Sequence, residues 1–225
     1  LFRSIAISKY RKSDGTNSWL VTIPGTDGKH DSPFGWPQNV ELMSSDSKQR
    51  MEADSARMVQ EAMKQAGIKS NEPVALIGHS QGGIVAATIA SDLKDDYDIE
   101  HVVTAGSPVA NHPIPEKTWV TSMEMDDELV AALDGAANPS SDHWLTVRGT
   151  ASKSSSNQES TFAGTPVTDA PDNKEITHWL KYHQAAYQNA TDMGSTAVNT
   201  HERHFDEIID GDLQEVMYFE GRMSK

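Results

Sequence analysis

Apolar positions in this chain fall into short runs separated by stretches of helical spacing, the signature of alternating strands and helices. Residues 4–10 alternate loosely between polar and apolar, and Ser13-Asp14-Gly15-Thr16-Asn17 supplies a turn before Trp19-Leu20-Val21-Thr22-Ile23, so an opening β-hairpin is predicted. Pro24-Gly25-Thr26-Asp27-Gly28 follows as a loop with backbone freedom, and Pro33-Phe34-Gly35-Trp36-Pro37 reads as irregular surface chain. Asp46 or Ser47 is placed to cap a helix reaching about Ala66. Met51, Met58, Val59, Ala62, Met63 and Ala66 recur there at helical spacing, Gly67 ends it, and the methionines are read as core filler.

The apolar run at 74–77 leads through a glycine-rich turn into the small and apolar residues of 84–90, a strand followed by a helix. Further strands are predicted at 101–105, 119–123 and 144–147, at spacings that suit βαβ units. Residues 151–174 are rich in Ser, Thr, Asn, Asp and Pro and read as a long loop or mobile flap. Helices are expected around 179–189 and 205–218, and no internal repeat is present. The fold class expected is α/β, with a doubly wound, mostly parallel sheet flanked by helices, in one domain spanning 1–225.

Between the central strand and its helix lies Gly78-His79-Ser80-Gln81-Gly82, a Gly-x-Ser-x-Gly sequence in the strand–turn–helix setting that lifts a serine hydroxyl above a sheet. The glycines are explained by crowding, since strand and helix come so close that a Cβ at Gly78 or Gly82 would clash. The blander reading is a glycine-rich connection with a solvated serine.

A serine needs a base to take its proton, and the base needs a carboxylate to hold its tautomer. In the chain order Ser, acid, His, the acid is expected beyond the strand near 119–123. Asp127, followed by Glu128-Leu129-Val130, ranks ahead of Asp126, with Glu124 third. For the base, His178 and His183 both follow the last strand and the polar loop. Asp172-Asn173-Lys174-Glu175 resembles a capping box that would put both on a helix, and His183, just before small and apolar residues, ranks first. His79 is read as packing or orienting its neighbours. The backbone N–H of Gln81, at a helix N-terminus, and that of Thr26 are the expected oxyanion donors. His201-Glu202-Arg203-His204 lacks the His-Glu-x-x-His spacing of zinc sites and reads as a solvated, mixed-charge segment.

A net charge of −14 argues against nucleic acid and against anionic lipid surfaces as partners, and no apolar stretch approaches a membrane span. Zero cysteines exclude disulfides, thiol catalysis and thiolate metal sites. The chain opens on Leu1 rather than Met, which suggests a processed form or a domain excised from a longer polypeptide.

With serine, acid and base in this order, the sequence resembles the α/β-hydrolase superfamily, and most of all its lipase/esterase branch with a Gly-His-Ser-Gln-Gly elbow. Ile23-Pro24-Gly25-Thr26, the elbow and Asp127 carry the likeness, which spans roughly residues 19–187. The resemblance implies hydrolysis of carboxylic esters or lipids through an acyl-serine, without metal or other cofactor. An acyltransferase, a peptidase or a non-catalytic binding module on the same fold is the alternative.

Overall fold

The structure, a computed structural model, describes residues 4–26, 32–150, 152–153, 159–162, 165–168 and 176–222. The expected hairpin forms from β1 (Ile5–Arg11) and β2 (Asn17–Ile23). Its turn is closed by Asp14, whose carboxylate accepts from the Thr16 N–H at 2.8 Å, with Gly15 supplying φ +86°.

Three helices follow: α1 (Trp36–Leu42), α2 (Ser47–Glu52) and α3 (Asp54–Ala66). Two expectations change here. Trp36-Pro37 opens a helix instead of continuing an irregular loop, because proline at the first turn loses no needed hydrogen bond. The single helix expected from 46 to 66 is broken at Ala53, which is buried and extended at φ −57°, ψ 126°. Asp46 caps the first piece through the Lys48 N–H, and Gly67, at φ +81°, ends the second.

The centre of the fold is β3 (Pro73–His79), α4 (Gln81–Asp92), β4 (Asp98–Ala105), β5 (Trp119–Met125) and β6 (Trp144–Gly149). Of residues 151–174, the described part comprises the short strands β7 (Ser152–Lys153), β8 (Glu159–Phe162) and β9 (Thr165–Thr168), paired as an antiparallel sheet where a long loop or flap was expected. The chain then runs through α5 (Leu180–Asp192), α6 (Thr196–Ile209) and β10 (Asp212–Phe219). The main sheet has the order β10-β1-β2-β3-β4-β5-β6, parallel from β2 to β6 and antiparallel at the β10–β1–β2 edge. The architecture is the doubly wound α/β sheet that the alternation of elements implied.

The helix expected at 205–218 lies earlier, and its second half is a strand. Ser195 caps α6 through the Val198 N–H, and Gly211 passes so close to Arg11 that a Cβ there would sit 2.7 Å from the Arg11 carbonyl oxygen. The chain therefore turns back as β10 along the free edge of β1, with Met217 and Phe219 packed on the core. Pairing that open edge outweighs local helix preference.

Two devices hold the central βα unit. Glu72, just before β3, accepts from Trp19 Nε1 at 2.8 Å and from Asn17 Nδ2 at 2.8 Å, tying β2 to β3. Arg50 donates from Nε to Asp92 at 2.8 Å and from Nη1 to the Ser44 carbonyl at 2.9 Å, locking α2 onto the end of α4. Such a buried pair is costly to break from one side.

On the α6 face the expected solvated segment instead buries His201 and half-buries His204 in a chain of histidines, with Arg203 left exposed. His201 Nε2 lies 3.2 Å from the Asp142 carbonyl, which only accepts, so Nε2 carries the proton and Nδ1 accepts from Thr121 Oγ1 at 3.1 Å. Thr121 then accepts from His101 Nε2 at 2.9 Å, and His101 Nδ1 accepts from His204 Nδ1 at 3.0 Å. Trp119 stacks between His143 and His204. Helical spacing puts 201 and 204 on one face, and that face meets β4 and β5.

His101 and His201 are each satisfied only when neutral, one ring nitrogen donating and the other accepting. Burial, then His204 and His201, lowers His101 to about 3, and burial first lowers His201 and His204 as well. The unfolded chain therefore takes up protons near pH 6.5 that the folded chain refuses. Stability is unaffected above that pH and is lost progressively as pH falls from 6.5 towards 3. Calorimetric Tm is expected to drop by several degrees between pH 7 and pH 4.5, with a visibly shallower slope in His101→Leu.

Candidate active site

Ser80 occupies the bend between β3 and α4 at φ 55°, ψ −126°, the one positive-φ non-glycine among the described residues. Its surroundings leave the chain little choice. A Cβ on Gly78 would overlap the Gly82 backbone, and one on Gly82 would meet the Ile23 carbonyl and come within 2.6 Å of the Pro24 carbonyl oxygen. The crowding inferred from the sequence is thus present, and it includes the exit of β2 as well as β3 and α4. The Ser80 N–H donates to the Ala105 carbonyl at 2.8 Å, and Ser107 Oγ donates to the Ser80 carbonyl at 2.8 Å. Backbone strain of this kind persists only where neighbours over-determine it.

Ser80 Oγ lies 2.9 Å from His178 Nε2. His178 Nδ1 lies 2.8 Å from Glu128 Oε2, and a carboxylate only accepts, so Nδ1 carries the proton and Nε2 is free to accept from the serine. The imidazole that the sequence ranked first is elsewhere. His183, fully buried in α5, places Nε2 3.3 Å from Glu128 Oε1 and Nδ1 3.2 Å from the Trp179 carbonyl. The correction has a simple cause. A short 3₁₀ turn at Ile176–His178 precedes α5, whose N-cap is Trp179. His178 therefore sits on the connection facing the strand ends, and His183 is inside the helix. The capping box at 172–175 lies outside the described residues.

The carboxylate that meets His178 is Glu128, one position beyond the expected Asp127. β5 ends at Met125, and the Glu128 N–H closes a turn onto the Met125 carbonyl at 3.2 Å, which folds Glu128 back under His178. Asp127 does not reach either histidine, and its buried Oδ1 has no hydrogen-bond partner among the described residues. Asp126 accepts from Thr150 Oγ1 at 3.1 Å, and Glu124 pairs with Arg148 at 3.3 Å and with Asn138. Burial alone would raise Glu128, but hydrogen bonds from His178 and then His183 outweigh it and hold the carboxyl below its ordinary value.

His79 supports the same assembly from β3. Its Nε2 donates to the His178 carbonyl at 2.7 Å, and burial, more than any other influence, lowers its pKa to about 4, so the ring is neutral. Gln81, buried at the start of α4, uses its side chain to donate to the Gly35 carbonyl at 2.8 Å, which anchors the approach to α1. Gly25 runs close enough to the elbow that a Cβ on it would lie 3.5 Å from Ser80 Cβ. Thr26 follows it immediately and is held by Asn39 of α1, whose Nδ2 lies 3.5 Å from Thr26 Oγ1. Glu128, His178 and His183 are also the described residues with metal-ligand spacing, their ligand atoms all within 4.8 Å of one another, but those atoms are already engaged with each other.

The PGAP1-like alpha/beta domain matches residues 38–163, more than half of the 225-residue chain. The chain belongs to the PGAP1-like alpha/beta domain family. That assignment agrees with the sheet order and with the resemblance to α/β-hydrolases noted from the elbow, so the fold is α/β-hydrolase-like. No curated protein matches the chain. The PGAP1-like match contains Ser80 and Glu128 and stops before His178, whose place beside Ser80 rests on geometry alone.

Gly106 shows how tightly the PGAP1-like site is closed. At φ +58°, a Cβ on it would lie 2.8 Å from His178 Nδ1, 2.9 Å from His183 Nε2 and 3.0 Å from Glu128 Oε1. Gly106→Ala is therefore expected to push the two rings from the carboxylate. The low-field N–H resonance of the His178–Glu128 hydrogen bond should vanish from the proton spectrum while far-UV circular dichroism stays near native.

Proposed function

We propose that this protein is a serine hydrolase that cleaves carboxylic esters through an acyl-serine intermediate, with Ser80 as nucleophile, His178 as base and Glu128 as the carboxylate orienting it. The observation that carries this reading is the unbroken hydrogen-bond chain from Ser80 Oγ through both His178 nitrogens to Glu128. Ser80 Oγ attacks the acyl carbon as His178 Nε2 takes its proton, and the imidazolium so formed is stabilised by the adjacent carboxylate. The developing oxyanion is received by the backbone N–H groups of Gln81 and Thr26, each such donor being worth about 3 kcal/mol in comparable enzymes. His178 returns the proton to the departing alcohol oxygen, and a water molecule deprotonated by the same Nε2 then releases the acid.

An ester with an apolar portion suits the surroundings. Leu129 and Leu133 follow Glu128, Trp179 and Leu180 follow His178, and all four are exposed. Substrates with apolar groups would cover these side chains, and isolated water-soluble esters would leave them wet.

A short-chain p-nitrophenyl ester tests the reading. Ser80→Ala and His178→Ala are expected to lower kcat by about 10³-fold or more, and Glu128→Gln by about 10²-fold or more. Asp127→Asn is expected to stay within about threefold of wild type. A fluorophosphonate should label the wild type and spare Ser80→Ala. Turnover that survives loss of Ser80 would overturn the proposal.

A further inference from the structure

His183 is not needed to deprotonate Ser80, yet it is wholly buried and aimed at the carboxylate that orients the base. A buried imidazole loses solvation, and it is retained where its ring nitrogens find partners. Here Nε2 meets Glu128 Oε1, and Nδ1 meets the carbonyl of Trp179, the residue next to His178. Both partners only accept; the carboxylate is the stronger of the two, so Nε2 carries the proton that it receives, and the approach of Nδ1 to the carbonyl is a hydrogen bond only when that nitrogen is protonated as well. The two oxygens of Glu128 are thereby divided, Oε2 to His178 and Oε1 to His183.

We infer that His183 is a positioning residue that acts through Glu128, fixing the rotation of its carboxylate so that Oε2 stays in line with His178 Nδ1–H and the acid stays ionised. The inference rests on the triad proposed above. A carboxylate held at one oxygen only is free to swing about its last torsion, a broad and soft coordinate. With both oxygens bonded, that freedom is removed before substrate arrives, which is where such arrangements gain rate. The hydrogen bond from His183 also contributes to holding Glu128 below its ordinary pKa against the opposing pull of burial. The titratable groups facing the His183 ring are Glu128 from the turn after β5, His178 from the connection before α5, and His79 from β3 at 5.7 Å between ring centroids. Gly106 meets this cluster without a side chain, and a Cβ on it would lie 2.9 Å from His183 Nε2 and 3.0 Å from Glu128 Oε1.

The test compares His183→Leu with His183→Gln, since the glutamine amide nitrogen can occupy the place of Nε2 and leucine cannot. His183→Leu is expected to lose about 10- to 100-fold in kcat, as removal of an orienting partner typically does, with KM changed by less than about threefold. Without that donor Glu128 picks up its proton more readily, so the acid limb of the kcat/KM profile should move to higher pH. His183→Gln should recover most of the rate and return the limb towards wild type. If His183→Leu does not fold, His183→Asn replaces it, because asparagine reproduces Nδ1 and leaves Glu128 Oε1 without its donor. Equal behaviour of the donor and non-donor variants, or a wild-type pH profile in both, would overturn the inference and reduce His183 to packing. Those outcomes differ from failure of the triad itself, which would show as activity surviving in Ser80→Ala or Glu128→Gln.

Discussion

The constraint on which the site depends is steric. β3, α4 and the exit of β2 approach so closely at the elbow that Gly78 and Gly82 have no room for a side chain, and Ser80 is forced to a positive φ between them. That one bend does two things at once. It projects the serine hydroxyl above the carboxyl ends of the parallel strands, and it exposes the first N–H groups of α4 in the same direction. The strain is held by partners outside the turn, chiefly the Ala105 carbonyl and the Ser107 hydroxyl at the end of β4.

Around that fixed point a carboxylate and an imidazole arrive from separate parts of the chain. Glu128 hangs from the turn after β5, His178 from the connection before α5, and His79 and His183 each hold one of them. Gly106 lets three of these groups converge, because a side chain there would occupy the space they share. The result is a small, nearly closed polar network whose members satisfy one another. A network of this kind is worth more intact than its separate contacts suggest, and more costly when partly broken.

The elements with strong local signals were legible in the amino-acid sequence: the hairpin with its Asp14-Gly15 turn, the parallel strands and the elbow. The carboxylate and imidazole that line up with Ser80 were legible only to within a few residues. Chain order and strand ends narrowed the carboxylate to the stretch after β5, but a tight turn onto Met125 rotates Glu128 inward and leaves Asp127 aside. Two histidines five residues apart bracket the start of α5, and nothing local states which precedes the helix. The start of α5 decides between them, since an imidazole on a connection can face the strand ends whereas one inside a helix is committed to its packing face. The misread 201–204 segment and the strand at β10 failed for a related reason: distant elements bury His201, and the open edge of β1 pairs residues 212–219 as a strand.

By itself the sequence determined the α/β class, the strained bend that carries Ser80 and the stretches that supply its neighbours, because glycine spacing, turn residues and hydrophobic period act over a few residues. The tertiary structure decided which carboxylate and which imidazole meet Ser80, which edge β10 closes and which histidines are buried. Those choices turn on side-chain directions where separate strands and helices meet. A rotation of one residue about a turn changes the direction completely while leaving the local pattern of polar and apolar residues the same.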